Sequence, residues 1–293
     1  MSTLINPFTP FDAPLVAAFE ANLQAALSED IGSGDVTGKL VPEHEWVRAR
    51  VIVREAAVLC GAPWFEGVMQ SVDVRIRIDW CYAEGAMMAA DSTVCTIEAP
   101  ARALLTAERS ALNFLQLLSG VASATRHYVE VARGTRAQIL DTRKTIPGLR
   151  LAQKYAVRVG GGKNQRLALY DGILIKENHI AAAGGITAAL DAAHALRAGV
   201  SIQIEVETLQ QLEEALAAGA TSVLLDNFSN QAMREAVLMN AGRALLEASG
   251  GINSDTLRAI AETGVDRISI GSLTKDVKAT DYSLRILEKI PAI

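Results

Sequence analysis

The sequence predicts two folding patterns in one chain, an N-terminal α+β sheet region and a C-terminal α/β barrel, and three observations carry this. In the first third, VRARVIVRE and VRIRIDW alternate apolar and charged residues with period two, as antiparallel strands with one wet face do. Further on, the short runs AQILD, GILIK, SIQIEV, SVLLD, RALLEAS and DRISIG alternate with helical stretches commonly closed by glycine, which is repeated β-α and predicts a parallel sheet. Each run also delivers polar residues at or just beyond its C-terminal end: Asp141 with Arg143 and Lys144, Lys176, Glu205, Asp226, Glu247 with Ser249, and Gly271. Six strands presenting chemistry at one end describe a barrel mouth. An open doubly wound sheet would concentrate it near one switch point.

In chain order, APLVAAFEANLQAAL reads as a helix that gives way to the turn-rich SEDIGSGDVT. The two alternating strands follow. The stretch from about residue 103 to 118, ALLTAERSALNFLQLL, is a helix expected to end at Ser119 and Gly120. The six β-α units then begin. His44, His127, His179 and His194 share no metal spacing, which predicts structural roles.

The chain has 293 residues, half of them hydrophobic and about a fifth charged, the balance of a soluble globular protein with a sizeable core. A net charge of -5 argues against nucleic acid or an anionic membrane as partner. The first Lys or Arg is Lys39, so no basic leader is expected, and no apolar run reaches membrane-spanning length. Cys60, Cys81 and Cys95 lack C-x-x-C spacing and suit buried packing in a reducing compartment, so a cytoplasmic location is expected.

Charge is distributed unevenly. Between Arg143 and Lys176 there are eight basic residues against the single acid Asp171, a local +7. A solvated helix face accounts for Arg150, Lys154 and Arg158; Arg143, Lys144 and Lys176 sit at strand ends and point to an anion site. The loop VGGGKNQR, residues 159–166, looks like a phosphate cradle but fails both nucleotide fingerprints. Lys163 is followed by Asn164 rather than a hydroxyl residue, and Gln165 stands where a dinucleotide loop needs its third glycine. Glu205, Asp226 and Glu247 close three neighbouring strands and are expected to converge opposite the cations, where they could hold sugar hydroxyls, Mg²⁺ or a developing positive charge. Spacing alone puts Arg109 beside an apolar helix face, which suits stem packing with the head in water.

The blocks DTRKTIPGLR, GGGKNQRLALYDGILIKENHI, EVE, LLDN, EASGGI and ISIGSLT, in that order and together with LSEDIGSGDVT and ERSALNFLQLLSGVA, resemble the quinolinate phosphoribosyltransferases over most of the chain. The resemblance implies an N-terminal open-faced α+β sandwich domain, residues 1–112, on which 278–293 packs back. It also implies a barrel domain, residues 113–277, with the incomplete six- to seven-stranded α/β barrel of type II phosphoribosyltransferases. The implied reaction joins quinolinate to 5-phosphoribosyl 1-diphosphate with Mg²⁺ and no organic cofactor, giving nicotinate mononucleotide, pyrophosphate and CO₂. A homodimer is implied, with assemblies up to a hexamer as a trimer of dimers.

On the same resemblance, Arg143, Gln165, Arg166 and Lys176 would bind quinolinate, with Arg109 reaching in from a neighbouring subunit. Lys144, Glu205, Asp226, Ser249, Gly250, Gly271, Ser272 and Lys275 would bind the phosphoribosyl diphosphate. Lys144, Glu205 and Asp226 would be catalytic, and Glu205 and Asp226 would hold Mg²⁺, directly or indirectly. The chain has Gln165 where many members carry histidine, and Lys275 where some do. Glutamine donates hydrogen bonds but carries no charge, so little pH dependence is expected from that position. Competing readings are a molybdate-transport-locus paralogue with another substrate, a Schiff-base barrel lyase using Lys176, and a non-catalytic anion binder.

Overall fold

The computed structural model describes residues 3–292. Its strands in the first hundred residues are β1 (Trp46–Val53), β2 (Ala57–Val58), β3 (Arg77–Trp80), β4 (Met87–Met88) and β5 (Thr93–Pro100). Then come β6 (Gln138–Leu140), β7 (Gly172–Ile175), β8 (Ser201–Val206), β9 (Ser222–Asp226), β10 (Leu245–Ser249), β11 (Arg267–Ser269) and β12 (Tyr282–Ile290). Contacts divide the chain into two compact units. The first comprises the residues up to Ala124, Ile146–Gly160 and those from Val277 onward; the second comprises Thr125–Thr145 and Gly161–Asp276. No helix among the described residues is long and apolar enough to cross a membrane.

In the first unit an antiparallel sheet runs in the order β12-β1-β5-β3. Alternation in β1 has the expected consequence: Val47, Ala49, Val51 and Val53 are buried, while Arg48 on the other face bonds Glu98 of β5 and Glu288 of β12. VRIRIDW yields strand only from Arg77, because the Asp73 carboxylate accepts the Arg75 backbone N–H at 2.9 Å and its guanidinium, holding those residues in a turn. Cys60 and Cys95 are buried, but Cys81 is exposed, contrary to the packing role expected for all three.

The helix expected to stop at Ser119 and Gly120 instead runs from Ala101 to Val131. Gly120 is a point of close approach: a Cβ there would collide with the carbonyl oxygen of Lys278. Ser119 bonds the Cys60 backbone at 3.0 Å and the Tyr282 hydroxyl at 2.8 Å. Lys154, expected on a solvated face, is buried, because residues 152–157 of the helix Arg150–Val159 are all buried.

In the second unit six parallel strands take the order β6-β11-β10-β9-β8-β7, the open barrel the sequence predicts. Alternation sorts the side chains. Ile139, Ile175, Ile204, Val206, Val223, Leu225, Leu246, Ala248 and Ile268 join one apolar core with Leu190, Leu212, Met233 and Leu257 of the surrounding helices. The intervening residues face inward. β6 and β7 are not hydrogen-bonded to each other; Lys163 forms an isolated parallel bridge to Leu140 beside β6 instead.

One titratable group is central to the first unit. Glu84 is buried and accepts the backbone N–H groups of Gly61 at 2.8 Å and Ala62 at 3.2 Å, at the start of the helix Ala62–Val72, and the Tyr155 hydroxyl at 2.9 Å. Burial pushes its carboxyl up to about 7 from 4.5, against the opposing effect of those bonds. Between these values the folded state holds a proton that the unfolded state has released, so this contribution to stability falls as pH rises through the window and levels off above it. Glu84→Gln is expected to flatten the pH dependence of unfolding free energy there by up to about 3 kcal/mol, at roughly 1.4 kcal/mol per pH unit. Chemical denaturation at several pH values checks it, and an unchanged slope would remove Glu84 as its source.

Candidate functional site

The C-terminal ends of the six strands surround a cavity of about 560 Å³. Arg143, Lys144, Arg166 and Lys176 supply its positive charge; Glu205, Asp226 and the buried Glu247 supply its acids; Thr142, Gln165, Asn227, Ser249 and Ser269 supply neutral polar groups. Leu174 and Leu224 give it apolar wall. The parallel register explains the convergence: Asp226 lies beside Ser249, and Glu205 beside Leu224, so inward residues of neighbouring strands stack on one side.

The glycine loop completes the barrel. Lys163 donates its backbone N–H to Ile139 at 2.8 Å and accepts from Asp141 at 3.2 Å, so one residue of the loop acts as a short strand beside β6. Gly161, at φ +95°, makes the turn into it. Asp141, fully buried, then clamps the next two residues: its carboxylate accepts the Asn164 amide at 2.6 Å and the Gln165 backbone N–H at 2.9 Å. Arg166 follows and lines the cavity, its guanidinium donating to the Gly172 carbonyl at 3.2 Å. The strand-end acid Asp141 thus holds the loop and does not line the mouth.

Charge in the mouth is only partly balanced. Lys176 is paired with Glu205, at 2.8 and 3.1 Å to its two oxygens. Arg166 is pushed below the ordinary guanidinium value, first by burial and then by the Arg143 guanidinium, with Asp171 and Glu205 pulling the other way. It stays charged, and Arg143 Nε is buried with no hydrogen-bond partner. Two like charges and a donor without a protein partner make a place suited to an anion.

At the end of β10, Ser249 lines the cavity. Gly250 has φ +104°, and a Cβ there would collide with the Asn227 side chain. A Cβ at Gly271 would come within 3.0 Å of Lys144 Cδ, so the lysine stem lies across that glycine. Gly250, Gly271, Ser272 and Lys275 do not line the cavity itself, and Lys275 is exposed beside Asp276 at 3.3 Å. Arg109 is exposed on the helix Ala101–Val131, in the first unit. Contrary to the expectation that Glu247 closes its strand, Ser249 closes it, and Glu247 sits one inward position deeper with 1% exposure. Sequence reasoning missed Thr142, Asn227 and Ser269, whose only signal was a place at or next to a strand end.

A half-buried cationic barrel mouth facing carboxylates and neutral polar side chains is the kind of site found in enzymes that handle polyanionic substrates. The N-terminal domain model of quinolinate phosphoribosyl transferase matches residues 35–119, and its C-terminal domain model matches 121–285. The chain therefore belongs to the quinolinate phosphoribosyltransferase family. A nicotinate-nucleotide pyrophosphorylase [carboxylating] of Mycobacterium leprae is 41% identical, over 89% of this chain and 95% of its own. A probable enzyme of the same name from Bacillus subtilis is 40% identical over 88% and 90%. The solved nicotinate-nucleotide pyrophosphorylase of Francisella tularensis superposes with a TM-score of 0.90 at 42% identity, covering 94% of this chain and 98% of that one.

If Asp141 clamps the loop, Asp141→Ala should expose the Gln165 amide. Losing a buried charged acceptor costs about 1–3 kcal/mol or more, so hydrogen exchange at Gln165 is expected to quicken on the order of a hundredfold. Unchanged protection would assign the loop's order to other contacts.

Proposed function

We propose that the chain transfers the phosphoribosyl group of 5-phosphoribosyl 1-diphosphate to quinolinate and releases CO₂, yielding nicotinate mononucleotide and pyrophosphate, and that the barrel mouth is where it does so. The observation that carries the assignment of the site is the Arg143 and Arg166 pair: two guanidiniums brought together, one with a buried Nε that no protein group satisfies. A planar dicarboxylate satisfies such a pair, because each guanidinium forks onto one carboxylate.

In this reading Arg143, Arg166, Gln165 and Lys176 hold quinolinate. Arg109 of a second subunit in a homodimer, or in a hexamer built from dimers, adds another cation. Lys144 faces the phosphoribosyl diphosphate. Glu205 and Asp226 bind ribose hydroxyls and favour the oxocarbenium-like centre as diphosphate departs. Ser249, Gly250, Gly271, Ser272 and Lys275 receive the phosphates, where small residues and backbone N–H groups suit close approach. The Lys176 and Glu205 pair keeps the lysine among charged groups. The lyase reading is disfavoured because the relatives that match this chain are named as nicotinate-nucleotide pyrophosphorylases.

No group of three His, Cys, Asp or Glu able to hold a metal occurs among the described residues, but Glu205 and Asp226 face one cavity. That donor set fits Mg²⁺ arriving with the diphosphate, since Mg²⁺ is commonly held by one or two carboxylates plus substrate phosphates. Bound there, it would neutralise charge on the leaving diphosphate. For decarboxylation the protein's part is placement: with the ring nitrogen ribosylated and cationic, the carboxylate on the adjacent carbon leaves as CO₂, and a proton takes its place. A cytoplasmic location agrees with this reading.

Incubation with quinolinate, 5-phosphoribosyl 1-diphosphate and Mg²⁺ is expected to yield nicotinate mononucleotide, CO₂ and pyrophosphate in equal amounts. Product from nicotinate but not from quinolinate would overturn the proposal, and quinolinate binding without pyrophosphate release would favour an anion binder. Arg143→Ala is expected to weaken quinolinate binding by at least a hundredfold, as loss of a charge-assisted bidentate contact implies. Calorimetric titration reads this directly, and an unchanged affinity would remove Arg143 from the site.

A further inference from the structure

Below the mouth, the second unit encloses another cavity, of about 680 Å³, lined by the first residues of its strands: Gln138, Gly172, Ser201, Ser222, Leu245 and Arg267. The two cavities share Gln165, Arg166, Leu174 and Glu247, so these side chains form the floor between them. A hydrogen-bonded string spans that floor. Gln165 Nε2 donates to Gln203 Oε1 at 2.9 Å, and Gln203 Nε2 donates to Glu247 Oε2 at 2.9 Å.

We propose that Gln203 and Glu247 are positioning residues for the dicarboxylate substrate, with Glu247 acting as a neutral carboxylic acid that orients Gln165 through Gln203 and keeps negative charge off the floor of the mouth. This rests on the reading of the mouth as the quinolinate site.

The geometry supports a neutral Glu247. Its Oε1 is buried without a partner, a costly setting for a carboxylate and a milder one for a neutral acid. Burial is the largest influence and pushes its carboxyl up, opposed by the bond from Gln203, by the nearby Ser269 hydroxyl and by the charge of Arg267. The charged groups lining the two cavities with it are Arg267 on β11, Asp226 on β9, Glu205 on β8, Lys176 after β7, Lys163 and Arg166 on the glycine loop, Asp171 just before β7, and Arg143 and Lys144 after β6. Of these, Lys176 and Glu205 neutralise each other, and Asp226 is bonded by Asn227 at 2.9 Å. A carboxylate beneath a bound dianion would repel it at close range in a partly desolvated site.

The string also has a direction. Because Glu247 Oε2 accepts, Gln203 must turn its carbonyl to Gln165, which fixes Gln165's amide nitrogen toward Gln203. A glutamine at position 247 reproduces both roles: its carbonyl accepts and its NH₂ replaces the O–H. An alanine reproduces neither.

The test is steady-state kinetics of the full chain with quinolinate varied, at saturating 5-phosphoribosyl 1-diphosphate, from about pH 6 to 9, above the range of an ordinary carboxyl. For Glu247→Ala the KM for quinolinate is expected to rise about tenfold with kcat within a factor of about two, the loss expected from one buried hydrogen-bond partner. Glu247→Gln should restore the KM. In the unmodified protein the KM should climb on the alkaline side, and in Glu247→Gln that climb should be absent. Glu247→Gln behaving like Glu247→Ala would show that the charge is required and overturn the proposal. So would a normal KM with kcat lost, which would make the carboxyl a proton donor. Should Glu247→Ala fail to fold, the pH arm of Glu247→Gln decides alone. An unmodified protein that makes no nicotinate mononucleotide sinks the functional reading instead; calorimetric quinolinate titration of the two proteins then tests the string independently.

Discussion

Two guanidiniums held side by side in a half-buried mouth repel each other, and the arrangement of the second unit follows from what keeps them there. Arg143 is carried just past the end of β6. Arg166 is carried by the loop whose Lys163 extends the sheet beside β6. The sheet is open between β6 and β7, and that opening is where the cation-bearing loop is seated. A closed eight-stranded barrel would pair those strands and leave no place for it. Beneath the pair, buried Asp141 restrains Asn164 and Gln165 and so sets the start of Arg166.

The same constraint shapes the interior. Barrels of this kind are ordinarily filled by layers of branched side chains. Here inward positions are held by Gly172, Ser201, Ser222 and Ser269, which leaves space, and by Gln203 and Glu247, which bridge it with hydrogen bonds. Most apolar packing lies in the layer between strands and helices, where Ile204, Val223, Leu225 and Ile268 are fully buried. Stability and chemistry are thus separated by strand parity: one face of each strand packs, and the other is available to substrate.

That separation is also why much of the site was legible in the sequence. Alternating runs gave the six parallel strands, and polar residues at strand ends identified Arg143, Lys144, Lys176, Glu205, Asp226 and Ser249, all of which line one cavity. The reasoning failed where a residue's meaning came from distant backbone. Gly120 reads as a helix terminator but makes room for Lys278. Lys154 has the spacing of a wet face but lies in a helix covered on nearly every side. Gln203 within SIQIEV looks like ordinary alternation, and only the folded barrel shows it joining Gln165 to Glu247. Glu247 was visible as an acid near a strand end; that it sits one step deeper, buried and off the rim, depends on where β10 stops.

In the proposed function this mouth recognises a planar dicarboxylate through its cationic side. A crystal structure of the protein with quinolinate tests it most directly. The account predicts the pyridine ring in the mouth with its carboxylates on Arg143, Arg166 and Lys176. A ring bound elsewhere, or carboxylates turned toward Glu205 and Asp226 with the two guanidiniums still unoccupied, would contradict it.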